Sequence, residues 1–120
     1  MNDEHEVCLL IAHDGSVLWA DTAGGRSALP DSRQRWDQVW RHRERLAEIA
    51  HTHPHGPLAF SHVDETTMLA IDAALGRPLA YGVVTPDAYL RHGEDGVRTR
   101  VTAEPWWTTL LRAASGIAAF

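Results

Sequence analysis

Lysine is absent from this 120-residue chain, and cysteine occurs once, as Cys8. A single cysteine excludes an intramolecular disulfide and every multi-cysteine zinc finger. All eleven positive charges are arginine; sixteen acidic residues outweigh them, for a net charge of −5. That balance gives no broad electrostatic footprint for nucleic acid, and no nucleic-acid partner is expected. Long apolar runs are missing too. The stretch Val7 to Ala12 is short, against the ~18 residues of a membrane helix, so no membrane partner is expected. The first six residues are acidic where a secretory signal would be basic, and the expected compartment is the cytoplasm. A chain this short makes one domain, expected over 1–120, and cannot build a (β/α)₈ barrel of ~200 residues or more.

What is present is a hydrophobic fraction of 44%, enough for an ordinary core, and eight histidines. Val7 to Ala12 reads as a strand buried on both faces. His13-Asp14-Gly15 supplies a turn into a second strand, Ser16 to Thr22. Ala23 to Ala28 reads as loop, and Pro30-Asp31-Ser32 as a helix start. Trp36, Val39, Trp40, Leu46 and Ala50 recur at helical spacing, so a helix is expected over Ser32 to Glu48 with both tryptophans as core anchors. Ile49 to His53 reads as a brief strand that Pro54 ends. A helix opens at Ser61 and stops at Gly76. Strands are expected over Leu79 to Thr85, Tyr89 to His92 and Val97 to Thr102, with a last helix over about 105–115. That helix carries enough apolar surface to cover a sheet face, within the chain or in a homodimer. The order β-β-α-β-α-β-β-β-α gives the fold class α/β, a mixed β-sheet flanked by helices.

The chemistry concentrates between His51 and Asp64. On a strand, residues i and i+2 share a face, with origins ~6.5–7 Å apart, so His51 and His53 can converge on one ion. Asp64 falls in the first turn of the next helix, where its carboxylate can point back at the strand end. Two imidazoles and a carboxylate make a three-ligand set that leaves a fourth position open, as in catalytic zinc sites. Ser61-x-x-Asp64 also matches the side-chain pattern of a helix capping box, which explains both residues without a metal. His5, His13, His42 and His92 read as surface residues. Cys8, in the middle of an apolar strand, reads as a small hydrophobe rather than a nucleophile.

His51-x-His53-Pro54, six further residues, then Ser61-x-x-Asp64 resembles the signature of the JAMM (MPN+, JAB) metalloproteases, a family that includes deubiquitinases. The resemblance spans about Glu6 to Thr85. It implies an MPN/JAB-like, cytidine-deaminase-like fold and a Zn²⁺ held by His51, His53 and Asp64. It makes Ser61 the residue beside the developing oxyanion. The family's catalytic glutamate heads an apolar strand, and Glu6 before Val7-Cys8-Leu9-Leu10 is the matching position, with Glu4 next if the register shifts by two. Leu9 stands where the family usually has glycine. The family also commonly has a strand and a helix before the glutamate, and only five residues precede Glu6 here.

By that resemblance the chain is a stand-alone bacterial peptidase or isopeptidase, acting on a ubiquitin-like modifier at its C-terminal glycine through metal-activated water. His55, Phe60 and His62, which flank the signature, are the candidate substrate contacts. Two alternatives stay open: a hydrolase of a small amide or amino-acid adduct on a sulfur-carrier-like protein, and a non-catalytic MPN scaffold.

Overall fold

The apolar run that opens the chain becomes the inside of a six-stranded sheet. In the computed structural model, which describes residues 4–21 and 33–117, it forms β1 (Cys8–Ala12), buried at every position. The remaining elements are β2 (Val17–Asp21), α1 (Arg33–Arg41), β3 (Leu46–Thr52), α2 (His62–Leu75), β4 (Ala80–Val84), β5 (Tyr89–His92), β6 (Arg98–Arg100) and α3 (Trp107–Ala114). The order of types along the described residues is the expected one. The sheet runs β2-β1-β3-β4-β5-β6. Only β3 and β4 are parallel, joined by α2 as a crossover; the other neighbours are antiparallel. The fold is mixed α/β. The expected loop at 23–28 and helix start at 30–32 lie outside the described residues.

Alternation along the strands divides the core into two layers. Cys8, Leu10, Ile49, Tyr81 and Val83 face α1 and α2, which add Val39, Met68 and Ile71. Val7, Leu9, Ile11, Ala50, Val84 and Tyr89 face the other way, onto Trp107 and Leu111 of α3. Arg112 fastens α3 to the sheet: it donates to the carbonyls of Thr85 at 2.8 Å and Ala88 at 3.2 Å, and pairs with Glu104 at 2.7 Å. His5 N–H donates to the Ser115 carbonyl at 3.0 Å, tying the chain's start to the end of the same helix.

The expected helix to Glu48 is too long. The helix stops at Arg41, and Leu46, Ala47 and Glu48 belong to β3. A contact remote in sequence decides this: Arg77 donates to the carbonyls of Arg43 at 2.6 Å and Leu46 at 2.7 Å, satisfying backbone acceptors beyond the helix end. Helical spacing through Leu46 was therefore accidental. Trp40 is also corrected. It is 53% exposed and lies under the Arg43 guanidinium, 4.2 Å from the ring centroid, while Trp36 packs on the core. The strand expected over Val97 to Thr102 shrinks to three exposed residues.

Candidate metal centre

The site forms where β3 ends beside the start of β1. Thr52, between the two histidines, points to the α3 side; its hydroxyl accepts the Val7 N–H at 3.0 Å, and its own N–H donates to the Val7 carbonyl at 3.1 Å. That exchange brings Glu6, one residue earlier, to the histidines on either side of Thr52. One oxygen of Glu6 and one nitrogen each of His51 and His53 all lie within 4.8 Å of one another. Glu6, His51 and His53 can thus hold a metal ion. Glu4 is not in this group; its carboxylate sits 3.6 Å from the exposed His55 ring.

Asp64 reaches the same point from α2. Ser61 caps that helix: its hydroxyl accepts the Asp64 N–H at 3.0 Å, and Asp64 Oδ2 accepts the Ser61 N–H at 2.8 Å. The capping box is real, and it does not exhaust Asp64. The same Oδ2 lies 3.2 Å from His51 Nε2 and 3.4 Å from His53 Nε2, while the two Nε2 atoms are 3.1 Å apart. The cap is what aims the carboxylate. The helix cap and the approach to both histidines coincide in one side chain.

The three atoms crowd one point: the carboxylate oxygen carries lone pairs, and each Nε2 carries a lone pair or a proton according to the ring's protonation. His53 Nδ1 donates to the Pro57 carbonyl at 3.0 Å, which leaves Nε2 of the neutral ring bare. Atoms of that kind crowd together only around positive charge, either a proton or a cation. The ionisation behaviour has the same origin. Burial would raise the Asp64 carboxyl, but hydrogen bonds from His51 and His53, with the Ser61 N–H, hold it far below the usual carboxylate range. Burial would lower His53, yet Asp64, the Pro57 carbonyl and the charge of Glu6 leave it raised.

The other residues divide by exposure. Glu6, His53 and Ser61 line an open cleft of about 320 Å³ together with Pro54, His55 and Pro57. His55 is exposed at the cleft rim, and His62 is exposed as the first residue of α2. Phe60 is buried, with its ring centroid 6.4 Å from that of His51 and 6.0 Å from that of His92. It supports a histidine rather than lining the cleft. His92, read from sequence as a surface residue, is half-buried in this stack, and Arg98 caps Phe60 from outside at 4.7 Å. Cys8 is fully buried beneath the site, where burial pushes its thiol up to about 12. The Pro57 carbonyl escaped the sequence reading because a backbone acceptor carries no residue signature.

Comparison with known proteins gives no family model that matches the chain and no curated protein that matches it.

Proposed function

We propose that the chain is a zinc-dependent peptidase or isopeptidase of the JAMM type, with an MPN/JAB-like fold, that releases a ubiquitin-like modifier after its C-terminal glycine. The observation that carries this reading is the triangle of His51 Nε2, His53 Nε2 and Asp64 Oδ2, with sides of 3.1, 3.2 and 3.4 Å. Bonds of ~2.0–2.1 Å to a tetrahedral zinc put neighbouring donor atoms ~3.3–3.4 Å apart, so the residues fit that ion. The Pro57 carbonyl on His53 Nδ1 is the kind of partner that orients a ligating imidazole. Zinc held there supplies a Lewis acid and a water that ionises near ~7 instead of ~15.7.

On this reading Asp64 is the ligand and Glu6 is held back as the proton carrier. Glu6 takes a proton from the attacking water and returns it to the departing amine. Ser61 lines the same cleft, and its oxygen already accepts the Asp64 N–H, so the hydroxyl proton can be offered to the oxyanion as it develops. Pro54, Gly56 and Pro57 line the same cleft, and an extended tail that ends in glycine, held by main-chain contacts, is the substrate form we propose for it.

The test uses fusions of a ubiquitin-like protein to a reporter, with Gly, Ala or Leu at the end of the modifier, and zinc-loaded enzyme. Cleavage after Gly, lost with a chelator and steeply reduced with Leu, is the expected result. Equal rates for all three overturn the glycine specificity. Release of a free amino-acid amide in preference to every fusion overturns the modifier as substrate.

A further inference from the structure

The sheet face away from the histidines carries a second polar cluster that the metal chemistry does not use. Glu48, on β3, is 8% exposed and reaches over β4 to accept a hydrogen bond from the Tyr89 hydroxyl at its Oε2. Its path crosses Gly82. A Cβ there would lie 2.7 Å from the Tyr89 ring and 2.9 Å from Glu48 Oε2, so the meeting of the two side chains depends on the missing side chain of β4. For Oε1, the hydrogen-bond donor in reach among the described residues is Arg91 Nε, at 3.4 Å. That is too long for a strong charge-assisted bond. Burial raises the Glu48 carboxyl, against the Tyr89 hydrogen bond and the Arg91 charge.

A buried carboxylate adds little net stability even when partnered, as Glu48 is by Tyr89 at 2.5 Å and Arg91 at 3.4 Å, and an apolar residue of similar volume often serves a core as well. Glu48 also faces open space. Glu48, Tyr89 and Arg91 line a cavity of about 270 Å³ between the sheet and the segment leading into α3. Ile11, Val101 and Trp107 supply its apolar walls, and the Tyr89 and Trp107 rings meet edge to face at 5.2 Å. The volume is near the lower end of small-molecule pockets, which run ~300–1,000 Å³. An apolar cleft with a few convergent polar groups is the usual form of a ligand site.

We infer that this cavity binds a small zwitterion, a free α-amino acid with an apolar side chain, whose ammonium meets Glu48 and whose carboxylate meets Arg91. Two arguments fix the class. Beside His13, the lining carries one carboxylate and one guanidinium, so a ligand of single charge that parts them would leave one of them opposed or unmatched. The two charges of an α-amino acid sit on one carbon, and the protein charges they must meet are likewise adjacent, 3.4 Å apart. Arg91 is only half-buried, with 43% of its side chain exposed, so its guanidinium can shift toward an incoming carboxylate. The apolar side chain then lies against Ile11, Val101 and Trp107.

The experiment titrates the whole protein with leucine, isoamylamine and 4-methylpentanoate, by calorimetry and by the NMR signals of Tyr89 and Trp107. Saturable binding of leucine is expected, with each single-charge analogue weaker by about tenfold or more. Glu48→Gln and Arg91→Gln should each weaken leucine by a similar factor, and their melting curves report whether they fold. If Glu48→Gln does not fold, Arg91→Gln, at the half-exposed rim, decides alone. The proposal is overturned if leucine gives no saturable shift, if either analogue binds as well, or if a folded variant binds leucine like the parent.

Discussion

His53 Nδ1 lies 3.0 Å from the carbonyl oxygen of Pro57, and this contact fixes what the ring's other nitrogen can do. With Nδ1 donating, Nε2 is left to face His51 and Asp64 as a lone pair, or to carry the extra proton that makes the ring a cation. The metal-free and metal-loaded proteins should therefore respond to pH in opposite directions. In the metal-free protein the His53 pKa is raised. Its stabilisation is then fully present below the unfolded value of ~6.5 and is lost as pH rises through the folded value. A bound cation takes the proton's place, so its stabilisation grows as pH rises. Melting temperatures of chelated and zinc-loaded protein between about pH 6 and 9 should diverge with increasing pH. Parallel curves would contradict the shared site.

Glu6→Gln should keep the fold and bind zinc like the parent, yet reduce cleavage of a modifier fusion by ~10²–10⁴-fold. The amide keeps the size of the side chain and removes the proton acceptor. The Val7–Thr52 exchange that positions residue 6 is backbone and hydroxyl, so the substitution leaves it intact. Loss of zinc in Glu6→Gln would make Glu6 a ligand, an arrangement that its proximity to both histidines allows.

Gly82→Ala should destabilise the protein although alanine is a small change. Its Cβ would press on the Tyr89 ring and the Glu48 carboxylate, both held by their mutual hydrogen bond. Overpacking of this kind costs about 1–3 kcal/mol, read from denaturant unfolding. The same substitution in a Tyr89→Leu background should cost clearly less, because the ring that blocks the Cβ is gone. Equal costs in both backgrounds would show that the neighbours yield freely.

The order of elements was legible because strand alternation, the helix spacing of α2 and the turn residues all act locally. His51, His53, Ser61 and Asp64 were legible for the same reason: the strand, the loop and the cap that bring them together lie within fourteen residues of chain. Where β1 meets β3 was not written locally, yet the apolar run after Glu6 pointed to a central strand, and Thr52 completes the contact. The end of α1 was illegible because Arg77, far along the chain, satisfies the carbonyls of Arg43 and Leu46. Glu48 was hidden by the same error. Assigned to the outer turn of a helix it had no meaning; on β3 it becomes a buried carboxylate under Gly82. Trp40 misled because helical spacing tells which residues share a face, and not how much of that face a nine-residue helix buries.

The most direct measurement of the central claim is the zinc content of the purified protein beside His53→Ala and Asp64→Ala, after equal exposure to the metal and dialysis. One zinc per chain is predicted for the parent. Each variant should lose affinity by more than the ~10–100-fold typical of removing a mere supporting partner of a ligand. Equal zinc in all three proteins would contradict the assignment of His53 and Asp64 as ligands.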